Sequence, residues 1–444
     1  MIVVPGAAAI DSLLVLGFGV TGRAVAQHAL RAGVRPFVSE AGALDAGAIS
    51  WLGSHGVPLE QGKHSERFLG QVDAVVLSPG VPIEHRIVRT ARARGLPVLS
   101  ELDLASLQAP SIPIVAVTGT NGKGTTVTVI DAMLRRAGRS PLLGGNIGTP
   151  FVSLLDRVSG SDVVVLEASS YQLEQTQHLK PAVAVLLNLT PDHLKRHGTM
   201  EAYAAAKGRI FQRQDPGDVA VLPAELAERF TQGSARRVLF DAPPPELPAG
   251  AAGLSPHNRS NLAAALCAVR GFDPSIDPTA MDVADFDDAF RLPHRMETVG
   301  SIAGVRLIND SKSTNADSAI AALRAIDRPA VLLLGGRSKG AGYKALSEEI
   351  HARDVRTVVA FGEAANDFER ILADSGIEAV LAPTLEEAVE AGLAAASAGD
   401  VLLFSPACSS FDSYRNYEER GDAFVRAVRR VAGFSFAEGK DVDN

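Results

Sequence analysis

At 444 residues, 46% of them hydrophobic and 21% charged, the chain is too long for one ordinary core and is expected to divide into two to four domains. A net charge of −8 argues against a general nucleic-acid or membrane-surface binder. Two cysteines, Cys267 and Cys408, cannot build a disulfide framework, Met1–Ile10 lacks a basic leader region, and no apolar run is long enough to span a bilayer, so a cytosolic protein without membrane insertion is expected.

The first block, 1–108, alternates short apolar strands (12–16, 35–38, 74–77, 97–99) with helical patterns, as in a doubly wound α/β unit. After its first strand comes Gly17-Phe-Gly-Val-Thr-Gly22, a turn that can present backbone N–H groups to a phosphate. Glu40 follows at the end of the next strand, where dinucleotide enzymes keep a ribose-binding acid, so a nicotinamide cofactor is one reading. Ser78-Pro79-Gly80 could add donors beside this turn, or be a plain β-turn.

The second block, 109–292, opens after Gln108-Ala-Pro-Ser-Ile-Pro113 with an apolar strand over 112–117 and a helix expected over 127–137. Between them lies Gly119-Thr120-Asn121-Gly122-Lys123-Gly124-Thr125-Thr126, a glycine-rich turn carrying an ammonium, suited to a nucleoside triphosphate. It departs from the strict Walker pattern, since Val117 stands where a glycine would be and Gly124 where a hydroxyl would follow the lysine. Strand 162–166 runs into Glu167, a carboxylate placed to hold Mg²⁺ on a bound triphosphate. Strand 182–187 leads to Asp192-His193 at the same sheet edge, and Lys207 follows on a helix over 200–212. A Pro/Gly-rich surface loop is expected over 241–253, then a helix over 258–270 opened by His257-Asn258-Arg-Ser-Asn261, whose amides suit a purine edge. The acidic residues Asp282, Asp285, Asp287 and Asp288 read as a solvated helix face.

The third block, 293–444, again alternates strands (305–308, 330–334, 357–361, 400–404) with helices. Asn309-Asp310-Ser-Lys312-Ser-Thr314-Asn315 at a strand end is a polar run suited to a nucleotide and a charged substrate. The chain has 34 arginines but nine lysines, so a lysine inside a motif is there more for its amine or compact charge than for generic cationic surface.

In these motifs the chain resembles the Mur ligase family over essentially its full length. The resemblance rests on Gly-Thr-Asn-Gly-Lys at 119–123, Gly-Gly-Asn-Ile-Gly at 144–148, Leu-Glu-Ala-Ser-Ser-Tyr-Gln-Leu at 166–173, Asp-His at 192–193, Pro-His-Arg at 293–295, Asn-Asp-Ser-Lys at 309–312, and the run from Ser405 to Gly421. It implies three α/β domains: an N-terminal Rossmann-like domain for a UDP-linked substrate, a central P-loop-like ATPase domain and a Rossmann-like C-terminal domain for the amino acid. The Ser405–Gly421 run resembles the branch that adds D-glutamate to the L-alanine carboxylate of UDP-N-acetylmuramoyl-L-alanine, through an acyl phosphate and a tetrahedral intermediate. By this resemblance Gly119 to Gly124 would cradle ATP with Lys123 on the β/γ-phosphates. Thr125 and Glu167 would hold one Mg²⁺, and His193 a second with help from Lys207 as N6-carboxylysine. Asn258, Asn261, His294, Arg295 and Asp310 would reach ATP. Val20, Thr21, Ser78, Pro79, Gly80 and Asn146 would meet the UDP substrate. Lys312 would fix phosphates or that substrate. Thr314 and Lys339 would face the α-carboxylate of D-glutamate, with Ser410, Phe411 and Tyr417 around its side chain. The chain is expected to work as a monomer.

Three positions depart from the family's pattern. Ser39-Glu40-Ala41 stands where some members grip uracil with Asp-Thr-Arg, Lys195 where an aspartate is common, and Arg337 likewise; both cations read as solvated surface. The rivals are a folylpolyglutamate-synthase-like ligase adding L-glutamate to a folate, a nicotinamide-dependent oxidoreductase or redox sensor built on residues 17–40, and a non-catalytic nucleotide-binding scaffold.

Overall fold

The computed structural model describes residues 4, 9–338 and 343–437, and Lys339 lies outside them. Each sequence block forms its own sheet. In the first, β1 (Ser12–Leu16), β2 (Arg35–Glu40), β3 (Leu59–Gln61), β4 (Ala74–Leu77) and β5 (Val98–Ser100) run parallel in the order 3-2-1-4-5. That is a doubly wound order, and its switch point puts the turns after β1 and β4 side by side. The second sheet holds β6 (Ile114–Thr118), β7 (Pro141–Gly145), β8 (Val163–Glu167), β9 (Val183–Leu186), β10 (Val219–Leu222) and β11 (Arg236–Leu239), all parallel, in the order 11-10-9-6-8-7. β6 is central, so the glycine loop after it opens between the ends of β8 and β9.

Sequence patterning passed over β7 because Pro141, Gly144 and Gly145 look like turn residues. It is an edge strand, where a proline at the first position removes no ladder bond. The expected helix over 127–137 starts earlier, as Lys123–Arg136. Gly122 turns the chain with φ +85°, so the polar Lys-Gly-Thr-Thr forms the first turn and the apolar face begins only at Val127.

These two sheets belong to one compact unit, Met1–Leu189 with Glu201–Phe286. One buried cluster runs from Val15 and Leu102 to Phe151 and Leu166, and the fully buried helix start at Glu101 joins the blocks. Its carboxylate accepts the Val152 N–H at 2.6 Å, and Asp103 accepts those of Gln177 and His178 at 2.8 and 2.6 Å.

The other unit is Thr190–Met200 with Asp287–Asn444. Its seven-stranded sheet has the order 16-15-14-17-13-12-18, from β12 (Glu297–Ile302), β13 (Val305–Asn309), β14 (Ala330–Gly335), β15 (Val355–Phe361), β16 (Ala379–Ala382), β17 (Val401–Ala407) and β18 (Phe434–Phe436). β12 pairs antiparallel with β13 and β18, and the remaining pairs are parallel. The acidic stretch forms 3₁₀ turns over Val283–Phe290 rather than an α-helical face; Val283, Phe286 and Ala289 are buried beneath its carboxylates. Among the described residues no helix is long and apolar enough to cross a membrane.

Candidate active site

The loop between β6 and its helix is held from three sides. Asn188, just past β9, accepts the Thr120 N–H on its carbonyl at 3.1 Å and the Asn121 N–H on its side chain at 2.9 Å, and its amide donates back to the Asn121 carbonyl at 3.1 Å. The Thr120 hydroxyl lies 3.2 Å from the buried Tyr203 hydroxyl. On the third side Asn261 comes so close to Gly122 that a Cβ there would collide with its amide oxygen. No side chain caps the helix at Lys123, which leaves first-turn N–H groups for an anion. The Lys123 ammonium donates to the carbonyls of Gly119 and Thr120 at 2.9 and 2.8 Å, neutral acceptors from which a triphosphate, as a charged acceptor, can draw it.

Lys207 is not a surface lysine. It is 1% exposed, packs its ammonium over the Tyr203 ring at 4.6 Å, and donates to the Gly119 carbonyl at 2.6 Å. A primary amine thus sits buried directly against the cradle.

The hydroxyls after Lys123 divide in a way that answers the missing hydroxyl at Gly124. Thr126 donates to the Gly122 carbonyl at 3.0 Å, whereas the fully buried Thr125 Oγ1 has no hydrogen-bond partner. A buried hydroxyl without a partner costs of order 1–3 kcal/mol, and a cation beside the phosphates would supply one. Glu167 ends β8 and is 2% exposed. Asn146 donates its side-chain amide to Glu167 Oε1 at 2.7 Å and its backbone N–H to the Glu167 carbonyl at 2.8 Å, so the amide expected at the UDP substrate also orients this carboxylate. Gly145, with φ +99°, permits that approach, because a Cβ there would run into the Glu167 carbonyl. Among the described residues no group of three or more His, Cys, Asp or Glu side chains could hold a metal. Thr125 and Glu167 are nonetheless hard oxygen donors of the kind Mg²⁺ takes alongside phosphate and water.

On the first sheet, the helix Val20–Arg31 also starts without a side-chain cap. Val20 is 74% exposed and Thr21 partly so. The Ser78 hydroxyl donates to the Gly17 carbonyl at 2.8 Å, and Val81 N–H closes a turn on the Ser78 carbonyl at 3.0 Å, so the 78–80 segment is a β-turn tied to the glycine loop. Glu40 turns on its own loop, its carboxylate accepting the N–H groups of Phe18 and Gly42 at 2.6 and 2.7 Å. The acid that the nicotinamide reading assigned to a ribose is therefore engaged by backbone.

The second unit gathers the other expected residues. His193, with φ +55°, stands 3.5 Å from Asp192, which Asn315 holds at 3.1 Å. Lys312 lies 3.8 Å above the Tyr417 ring. Ser410 is buried and Phe411 is 61% exposed, while Thr314 is partly exposed. Asp310 is buried: Ser405 and the Met296 N–H donate to its two oxygens at 2.7 and 3.1 Å, and burial pushes its pKa up to about 7. His294 is also inside the unit, 3.0 Å from the Asn309 amide and against Gly421, where a Cβ would overlap its ring. Arg295 follows it on the same turn. Asp310 and His294 thus both brace the turn that enters β12. Asn258 belongs instead to the first unit, in the first turn of the helix Pro256–Phe272, where its N–H donates to Ser255 Oγ at 3.3 Å.

The two cations read as solvated surface have partners: Arg337 pairs with Glu363 at 2.8 Å, and Lys195 donates to the Ser338 carbonyl at 2.8 Å. Asn188, Tyr203 and Arg420 were not singled out from sequence. Asn188 had a legible sign, an amide at a strand end two positions before the Thr-Pro-Asp-His run; the other two act through contacts distant in sequence.

Comparison with known proteins gives matches to three family models: "Mur ligase MurD-like, N-terminal domain" over residues 11–100, "Mur ligase middle domain" over 117–239 and "Mur ligase, glutamate ligase domain" over 294–408. The chain is 38% identical to a UDP-N-acetylmuramoylalanine–D-glutamate ligase of Pelotomaculum thermopropionicum, over 94% of this chain and 97% of that one. It is 41% identical to a ligase of the same name from Oleidesulfovibrio alaskensis, over 96% of each. Among solved structures, MurF of Acinetobacter baumannii shares the fold with a TM-score of 0.59 at 17% identity, covering 89% of this chain and 91% of that one. MurF of Thermotoga maritima in complex with ADP does so with 0.57 at 17%, covering 88% and 94%.

Proposed function

The chain belongs to the Mur ligase family, and from that membership and the geometry of the cradle we propose how it joins D-glutamate to UDP-N-acetylmuramoyl-L-alanine, using ATP, in peptidoglycan precursor synthesis. Near-full-length similarity to ligases of that name disfavours the folate alternative. The observation that carries the chemical reading is the cradle itself: a backbone anion site, the Lys123 ammonium, and the Glu167 carboxylate on the neighbouring strand.

The L-alanine carboxylate attacks the γ-phosphorus of ATP, giving an acyl phosphate and ADP. The amine of D-glutamate then adds to the acyl carbon, and the tetrahedral intermediate collapses with loss of phosphate. Two anions must meet in the first step, so charge neutralisation dominates the barrier. Lys123 turns from the Gly119 and Thr120 carbonyls to the β/γ-phosphates, and the uncapped helix start takes phosphate oxygens on its N–H groups. Thr125 and Glu167 would hold one Mg²⁺; Lys207, once carbamylated, would offer an anionic oxygen to a metal ion, and His193 would offer its imidazole to one. Bound there, Mg²⁺ supplies the Lewis acidity that makes the γ-phosphorus electrophilic. Lys207 suits carbamylation because CO₂ adds to a neutral primary amine, which a guanidinium cannot offer. Asn146 aligns Glu167 and meets the UDP substrate, whose nucleotide end takes the Val20–Thr21 and Ser78–Gly80 turns. Asn258, Asn261 and Arg295 serve ATP, with His294 and Asp310 bracing that turn. Thr314, Lys339, Ser410, Phe411 and Tyr417 receive D-glutamate, and Lys312 steadies phosphates or the UDP substrate. The enzyme acts in the cytoplasm as a monomer.

Phosphate release by the purified protein tests this, with UDP-N-acetylmuramoyl-L-alanine or a folate as acceptor and D- or L-glutamate as donor. Turnover is expected only with the UDP substrate and D-glutamate; turnover with folate and L-glutamate would overturn the reading.

A further inference from the structure

Arg420, in the helix Tyr417–Arg429, is fully buried. Its Nε donates to Ser311 Oγ at 3.0 Å and its Nη2 to the Ser311 carbonyl at 2.7 Å. Its Nη1 reaches the carbonyls of Cys408 at 2.9 Å and Gly335 at 3.4 Å. Among the described residues it makes no ion pair; its acceptors are three carbonyls and a hydroxyl. Burying a guanidinium costs several kcal/mol, and an apolar side chain of similar size would avoid that cost if filling space were the only task.

The acceptors lie at the carboxyl ends of three strands, β13, β14 and β17. Each opens a turn carrying proposed amino-acid contacts. Ser311 precedes Thr314, Gly335 leads toward Lys339, and Cys408 leads to Ser410 and Phe411. Ser311 Oγ, while accepting from Arg420, donates to the Tyr417 carbonyl at 2.8 Å, so the same guanidinium also reaches the segment that carries Tyr417. Gly336, with φ +120°, leaves room for it: a Cβ there would stand 2.9 Å from Arg420 Nη1 and collide with the Ser409 carbonyl. The planar fork of arginine can span acceptors in three directions at once, which a lysine ammonium on its single tip cannot.

We infer that Arg420 is a positioning residue for the amino-acid substrate, fixing the spacing of the three strand-end turns that bind D-glutamate; this rests on the amino-acid site proposed above. Its effect should fall on D-glutamate and not on ATP or the UDP substrate, whose proposed contacts lie mainly on other segments.

The test is steady-state kinetics of Arg420→Lys, which keeps the charge and loses the fork, beside Ser410→Ala. Expected for Arg420→Lys is a KM for D-glutamate raised about tenfold or more, with KM for ATP and for the UDP substrate within about twofold. An unchanged KM for D-glutamate, or a parallel rise of all three constants, would overturn the inference. If Arg420→Lys gives no cooperative thermal transition, Ser311→Ala decides instead. It keeps the guanidinium and cuts the relay to Tyr417, and its KM for D-glutamate should rise about threefold or more; no change overturns the inference. Should Ser410→Ala leave KM for D-glutamate unaltered, the amino-acid site itself is misplaced and the inference falls with it. A rise in Ser410→Ala without one in Arg420→Lys removes the Arg420 role alone.

Discussion

Lys123 and Lys207 donate to one and the same oxygen, the carbonyl of Gly119, at 2.9 and 2.6 Å. One ammonium belongs to the glycine loop and the other comes from a separate helix, yet both converge on the backbone atom at which the loop begins. Two cations on one neutral acceptor form an arrangement ready to be rearranged by an anion. Carbamylation of Lys207 would reverse its charge and leave Lys123 as the cation of the pair, with the modified nitrogen still able to donate to Gly119.

From this pairing, Lys207→Ala should reduce phosphate release by about a hundredfold or more, and formate or acetate should restore part of it by replacing the carbamate oxygens. Lys207→Arg should be equally inactive, since a guanidinium does not take up CO₂. Full activity of unrescued Lys207→Ala would remove the carbamate from the mechanism.

Thr125 and Thr126 make the second comparison. The Thr126 hydroxyl is engaged by the Gly122 carbonyl, and that of Thr125 is buried without a partner. Thr125→Val should therefore cost about tenfold or more in kcat/KM for Mg·ATP, and Thr126→Val only about threefold. Equal effects in a magnesium titration would count against Thr125 as a ligand.

Asn188 ties Thr120 and Asn121 to the end of β9 through three hydrogen bonds, two of which use its side chain. Asn188→Ala should raise KM for ATP roughly five- to twentyfold with a smaller change in kcat, because a loosened cradle must be ordered by the nucleotide. Isothermal titration with ADP would show the same loss, and unaltered ADP affinity would show the loop to be held by other means.

Glu101 links stability to pH. Burial pushes its pKa up from 4.5 to about 7, against the Val152 and Phe151 N–H groups that favour the charged form. A carboxyl with a raised folded-state pKa contributes stability that is complete below about 4.5 and lost as pH rises through about 7. Glu101→Gln should therefore raise stability at pH 8 by roughly 1–3 kcal/mol and change it little at pH 4. Thermal melts at both values check this; equal melting temperatures for mutant and parent at pH 8 would contradict it.

What could be read from the sequence was local. The cradle was legible because a glycine turn, a lysine and a helix start are consecutive, and strands such as β6 and β8 stood out as apolar runs. The residues that hold the cradle were harder to see. Asn188 and Tyr203 reach it from elements separated from it by many residues; Asn188 is marked only by its place at a strand end before the Thr-Pro-Asp-His run, and nothing in the neighbourhood of Tyr203 marks it. For Asp310 and His294 the resemblance implies ATP contacts; what no local pattern shows is that both also brace the turn into β12, through Ser405, Met296 and Asn309. Arg420 stood in plain view inside the Ser405–Gly421 run, but that it meets three strand ends follows from the strand order 14-17-13, which no local pattern reveals.

The most direct test of the central claim follows oxygen. With the L-alanine carboxylate of the UDP substrate labelled with ¹⁸O, carboxylate attack on the γ-phosphorus predicts one ¹⁸O in each inorganic phosphate released as D-glutamate is joined. Unlabelled phosphate, or label found in AMP, would contradict an acyl-phosphate ligase built on the Gly119–Thr125 cradle.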